Sequence, residues 1–213
     1  MTAVLELNAE QVASIENDPV FPYYVEAIAL QRKVKQEIGM SDKRPTVAEL
    51  RDILNLEPHP TCGFTGVTYI SPGTITTDAL PTGYNEAHPF ASAMYFLVTS
   101  ESEIRLHALR SDQIYHHYLG DPLEVLLLYP DGSWAMPTVG SDILLGQRPQ
   151  LLIPGGTQHI SRVKGNGEYA LLGTIEFPGF TPEDLILGDP AELAAQYPEC
   201  AELLVAFTHA SPP

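Results

Sequence analysis

The sequence predicts an all-β barrel or sandwich with helices at both ends, and three observations carry that prediction. Between His59 and Phe180, apolar runs of about six residues recur: GVTYIS, SAMYFLVT, EIRLHALR, QIYHHYL, LEVLLLYP, PQLLIPG and YALLGTIEF. Turn markers separate them, among them LGDP, YPDGS, PGGT and KGNGE. Short strands joined by tight turns at this spacing are the pattern of sandwiches and barrels. On either side of this stretch, apolar residues recur at the helical period instead.

Taken in order, residues 9–17 and 23–38 carry apolar residues at helical spacing. Thr46 precedes VAELRDILNL with Glu49 three residues on, a capping box that predicts a helix over 46–55. Residues 1–57 therefore read as a helical N-terminal extension, a cap or an oligomer arm. Residues 58–187 read as the β domain. The stretch 182–207 returns to helical signals in PEDLIL, PAELAAQY and PECAELLVAF. Residues 188–213 read as a helical tail across the outside of the barrel.

With 213 residues the chain is one domain, or one domain with an extension, and buries a core without staples. A net charge of −16 excludes nucleic acid and an anionic membrane surface as partners, and it serves solubility. The two cysteines, Cys62 and Cys200, form no CxxC, so neither a zinc knuckle nor a redox pair is expected. The opening MTAVLELNAE has no basic segment before an apolar run, and no apolar stretch has the length of a membrane span. A cytoplasmic, reduced protein is the expectation. No GxGxxG, P-loop or GxSxG occurs, so neither a nucleotide cofactor nor a Ser-His-Asp hydrolase is expected.

Two segments carry the chemistry, RLHALRSDQIYHHYLGDP at 105–122 and PGGTQHISR at 154–162. Strand side chains alternate faces. His107 therefore shares a face with Arg105 and Leu109. Gln113, Tyr115 and His117 share one face, with Ile114, His116 and Tyr118 on the other. Gly120 permits the turn that follows. If these strands line a barrel, His107, Gln113 and His159 converge on one metal ion, and imidazole ligands suit Zn, Fe, Ni and Cu.

At these residues the chain resembles the cupin superfamily. His107, Gln113 and Gly120 stand where the first cupin motif has its first His, its Glu and its final Gly, with Leu109 in place of the second His. Pro154, Gly156 and His159 match the Pro-x-Gly-x-x-His of the second motif. A closer resemblance over 46–187 is to a branch likened to sugar epimerases, carried by LNLEPHPTCGFTGVTYIS, ASAMYFLV, HALRSDQIYHHYLGDPL, IPGGTQH and FPGFTPEDLIL. HPTCG departs from that branch's HPEGG, Gln113 replaces a Glu, and His159 replaces a Gln.

The resemblance implies a double-stranded β-helix, or jelly-roll, barrel with N- and C-terminal helices, and a homodimer through barrel-edge strands. It implies a divalent transition metal held by His107, Gln113 and His159, with Fe²⁺ the first choice and Mn, Ni or Zn able to fill the site. Gln113 is either a direct ligand or a hydrogen-bonding group that orients one. A missing carboxylate is left to Glu124, Glu176 or a water-bridged group. Tyr115, His117 and Tyr95 are the catalytic candidates, and His117 is alternatively a fourth ligand. Arg105 and Arg162 are candidates for a substrate carboxylate or phosphate. His116 and His59 read as structural. Three functions follow in order. The first is a metal-dependent enzyme acting on a small chelating, anionic or enolisable metabolite, by O₂-dependent oxidation or by isomerisation or lyase chemistry through a metal-bound enolate. The others are a metal-independent sugar-type epimerase and a non-catalytic small-ligand binder.

Overall fold

The computed structural model describes residues 44–102 and 104–208. The helical readings at 9–17 and 23–38 lie outside those residues. Helix α1 (Val47–Leu54) begins as its capping box predicts. The Thr46 hydroxyl accepts the Glu49 N–H at 3.2 Å, and the Glu49 carboxylate accepts the Thr46 N–H at 2.8 Å. Asn55, at φ 51°, ends the helix in the left-handed region. Leu50 and Leu56 are buried with Leu97, Tyr169 and Leu171, so α1 is packed on the β domain within the compact unit that starts at Pro45.

The strands follow in order as β1 (Glu57–His59), β2 (Gly63–Ile70), β3 (Thr74–Ile75), β4 (His88–Pro89), β5 (Ser92–Thr99), β6 (His107–Ala108) and β7 (Asp112–Gly120). Next come β8 (Leu123–Leu128), β9 (Trp134–Ala135), β10 (Thr138–Val139), β11 (Gln150–Ile153), β12 (Gln158–Val163), β13 (Tyr169–Phe177) and β14 (Ile186–Leu187). One six-stranded sheet runs β1-β2-β5-β13-β7-β11. A second runs β10-β8-β12-β6-β14, with β9 also paired to β8, and β3 pairs with β4. The main core lies between the two large sheets, with Phe96, Tyr115, Ile153 and Leu172 from one and Val125, Leu127, Val139 and Ile160 from the other. This is the all-β jelly-roll architecture that the sequence and its resemblance predict.

Strand β8 is buried along its length except at Glu124, and the C-terminal helices pack into the same core. Helices α2 (Pro190–Gln196) and α3 (Ala201–Thr208) follow β14, and Leu204 and Phe207 of α3 are buried in the main core. PEDLIL differs from its helical reading. Pro182–Asp184 makes one 3₁₀ turn, and Ile186–Leu187 then runs as β14 along β6. Pairing with the free edge of β6 outweighs weak local propensity. Among the described residues, no helix is long and apolar enough to cross a membrane.

Candidate functional site

The two motif histidines meet through strand register. β6 pairs antiparallel with β12 so that His107 lies directly opposite His159, and the ring centroids stand 4.3 Å apart. The PGGT turn sets that register. Gly156 has φ 79° and donates its N–H to the Leu109 carbonyl, and a Cβ at Gly155 would run into the Arg110 carbonyl. His107 and His159 are 7% and 1% exposed.

Both rings are held in one way. His107 donates Nδ1–H to the Arg105 carbonyl at 2.7 Å, and His159 donates Nδ1–H to the Thr157 carbonyl at 3.2 Å. Each bond fixes the tautomer and leaves Nε2 as the lone-pair nitrogen. The Tyr115 hydroxyl donates to His159 Nε2 at 3.1 Å. Burial lowers the pKa of both imidazoles, His159 to about 3 with the neighbouring His107 adding to the effect. Both are therefore neutral at pH 7. Burial, with Cys62 and Glu176 nearby, raises the Tyr115 hydroxyl and keeps it a neutral donor.

His107, Gln113 and Tyr115 line a cavity of about 280 Å³, together with Thr174 and Glu176. Met94, Phe96, Leu109, Phe180 and Leu185 form its apolar wall. Gln113 is 3% exposed, and its amide makes no hydrogen bond to a described residue and opens onto the cavity. Buried amides are ordinarily paired, so an open one facing a cavity points to a ligand.

Glu176 is the carboxylate of this cavity. Its register on β13 puts it beside Gln113 of β7 and Ser92 of β5. It is 1% exposed and accepts hydrogen bonds from Thr174 Oγ1 at 2.9 Å and Ser92 Oγ at 2.8 Å. Burial raises its pKa above the usual carboxylate range, against the pull of those two hydroxyls.

The HPTCG segment adds two groups that the sequence reading left aside. His59 and Cys62 both line the cavity, with Cys62 Sγ 3.0 Å from His59 Nδ1. Burial pushes the Cys62 thiol up to about 12, and it lowers the His59 imidazole. The departure of HPTCG from HPEGG was the available signal, since a cysteine stands there where the resembled branch has glycine.

Four predicted site residues lie elsewhere. Tyr95 packs its ring edge on Tyr118 at 5.8 Å, on the face of β5 opposite the cavity-lining Met94 and Phe96. His117 donates Nε2–H to the Asp121 carbonyl at 3.2 Å. It keeps the face of Gln113 and Tyr115, but each two-residue step advances about 6.6 Å along a strand, which carries it past the cavity. Arg105 is exposed in the irregular segment before β6, where alternation does not hold. Arg162 binds Glu124 at 3.1 Å and stacks over Phe207 at 4.1 Å, so both it and Glu124 serve the α3 side of β12. His116 accepts from the Gln150 amide at 3.1 Å across the β7–β11 pair.

Among the described residues, no group of three His, Cys, Asp or Glu side chains is arranged to hold an ion. The donor set becomes three when the amide is counted: two Nε2 lone pairs and the unpaired Gln113 oxygen. By donor chemistry such a set suits a divalent transition metal, and an ion held by His159 would take the Nε2 position that the Tyr115 hydroxyl occupies.

A family model described as the cupin superfamily (DUF985) matches residues 48–188. Among solved structures, a hypothetical protein from Leishmania major is 25% identical, with 76% of this chain and 98% of that chain covered at a TM-score of 0.68. A protein from Shewanella oneidensis is 27% identical, with 79% and 99% covered at a TM-score of 0.66. No curated protein matches the chain. The sheet order, the paired motif histidines and a family match across the whole β domain agree, and the chain belongs to the cupin superfamily.

Proposed function

We propose that the chain is a metal-dependent enzyme acting on a small oxygenated, chelating or enolisable molecule in the 280 Å³ cavity. The observation that supports it is the matched pair of Nδ1–H bonds to backbone carbonyls, which leaves Nε2 of both facing histidines as lone-pair nitrogens, with His107 lining the same cavity as the Gln113 amide. His107, His159 and the Gln113 oxygen would hold the ion, Fe²⁺ first. When bound, the ion supplies Lewis-acid polarisation of a substrate oxygen.

The remaining groups handle the substrate and its protons. Glu176 holds a proton to higher pH than an ordinary carboxylate, which suits an acid–base group at an enolisable carbon. Tyr115 presents a neutral hydroxyl donor. Met94, Phe96 and Phe180 keep water from the reacting carbon. This set favours redox-neutral isomerisation or lyase chemistry over O₂-dependent oxidation.

Elemental analysis of protein purified without chelators tests the reading. Wild type should carry about one equivalent of Fe, Mn, Ni or Zn, and His107→Ala and His159→Ala should lose it. Sub-stoichiometric metal that is indifferent to both substitutions contradicts it.

The Tyr115–His159 hydrogen bond of 3.1 Å favours one second reading, a metal-free isomerase in which this pair relays the proton. That reading requires turnover that survives chelation and is lost in Tyr115→Phe. The homodimer is also a proposal. It would use the exposed apolar Val67, Tyr69 and Ile70 of β2, and light scattering tests it.

A further inference from the structure

The β1–β2 hairpin is built to press a thiol onto an imidazole. His59 pairs with Gly63 across the hairpin, and only three residues, Pro60, Thr61 and Cys62, connect them. Gly63 turns the chain at φ 77°, where a Cβ would meet the Leu97 carbonyl. The loop folds Cys62 back so that Sγ stands 3.0 Å from His59 Nδ1.

A neighbouring bond fixes the state of the imidazole nitrogen. The Thr61 backbone N–H approaches the same Nδ1 at 3.3 Å, and a backbone N–H can only donate. Nδ1 therefore carries the lone pair, with the Cys62 thiol at 3.0 Å and the Thr61 hydroxyl at 3.1 Å both within donating distance of it. Imidazole as base and thiol as nucleophile is the arrangement of activated cysteines. A second observation points to a ligand beside them. The Gln113 amide, 3% exposed and without a partner among the described residues, lines the same cavity as His59 and Cys62.

We propose that His59 and Cys62 form a covalent-capture site that adds the thiol reversibly to the carbonyl carbon of an aldehyde or α-keto acid in the cavity. The S–C bond forms as the C=O π pair moves onto oxygen. The thiol proton passes to His59 Nδ1 and then to that oxygen, giving a thiohemiacetal. Nothing is oxidised or reduced, and the reverse steps release the carbonyl. The Gln113 N–H groups are the donors for the developing oxyanion. Burial keeps the resting group a thiol rather than a thiolate, so addition requires the proton to pass to His59 as the S–C bond forms.

The proposal rests on the reading above only in taking the same cavity as the substrate's, and capture needs no metal. The test uses the full chain, before and after chelation, with glyoxylate labelled with ¹³C at its aldehyde carbon. ¹³C NMR should show a sulfur-bonded tetrahedral carbon in wild type and in Cys200→Ser. The resonance should be absent in Cys62→Ala and Cys62→Ser, with melting curves confirming that both variants fold. His59→Gln should form it about 100-fold more slowly. No resonance in wild type, its survival in Cys62→Ala, or an unchanged rate in His59→Gln overturns the proposal. The adduct in chelated protein, or in His107→Ala, separates this outcome from that of the metal assay.

Discussion

Two buried histidine clusters in this molecule are built on opposite plans. His88 and Asp184 are each 1% exposed and form a closed set. His88 bonds the Glu86 carbonyl through Nδ1 at 2.9 Å and the Asp184 carboxylate through Nε2 at 3.0 Å. Asp184 also accepts the Thr181 N–H at 2.8 Å, and Tyr84 packs edge-on to the His88 ring at 4.8 Å. Every polar atom there has a protein partner, and the cluster ties β4 to the turn before β14. The second cluster is open. His107 commits one nitrogen to the backbone, His159 bonds a backbone carbonyl through Nδ1 and the Tyr115 hydroxyl through Nε2, and the Gln113 amide bonds no described residue. Similar burial thus serves stability in one place and leaves binding capacity in the other.

Substitution should separate the two. Asp184→Ala leaves His88 Nε2 with only the Thr181 hydroxyl at 3.4 Å and orphans the Thr181 N–H, and should cost about 3 kcal/mol in denaturant unfolding with metal content unchanged. The open cluster should then show itself through pH in metal-free protein. His107 and His159 have folded pKa values below their ordinary 6.5, so the unfolded chain takes up protons that the folded chain refuses. Their contribution is fully present above pH 6.5 and lost as pH falls towards about 3. His159→Gln should flatten this slope, and an unaltered slope in urea titrations across that window would show that His159 is not the group responsible.

Smaller effects sharpen the contrast further. Gln113→Leu removes a buried amide that has no partner, so it should leave stability unchanged or raise it by about 1 kcal/mol while weakening metal binding. A loss of about 2 kcal/mol or more, the cost of an orphaned buried group, would mean the amide is structurally engaged. Arg162→Ala should cost about 0.5–1 kcal/mol through its half-exposed pair with Glu124 and its Phe207 stack, and should leave metal content untouched.

What the sequence made legible follows from what periodicity can carry. Alternation put Gln113 and Tyr115 on one face of β7, and motif spacing set His107 against His159. The Thr46–Glu49 pattern marked α1. A period of two gives the face of a strand and not depth along it, so alternation puts His117 on the Gln113 face while the cavity lining stops at Tyr115. Arg162 stands three residues from His159, so alternation itself sends it to the opposite face of β12, and its pairing with Glu124 follows. Arg105 is exposed because β6 is only two residues long, too short for alternation to reach it. Glu176 became a cavity group only through pairing with strands far away in sequence, and the apolar run YALLGTIEF hides which residues point inward. The thiol–imidazole contact depends on the shape of one hairpin, to which residue patterns are blind.

The most direct test of the open-cluster account is titration of metal-free protein with Co²⁺, read by its ligand-field absorption. Wild type and Asp184→Asn should both saturate at about one equivalent with the same spectrum, and His107→Ala and His159→Ala should show none. A wild-type titration with no protein-bound spectrum, or one that survives loss of either histidine, would contradict the claim that this cluster is open because it binds a metal.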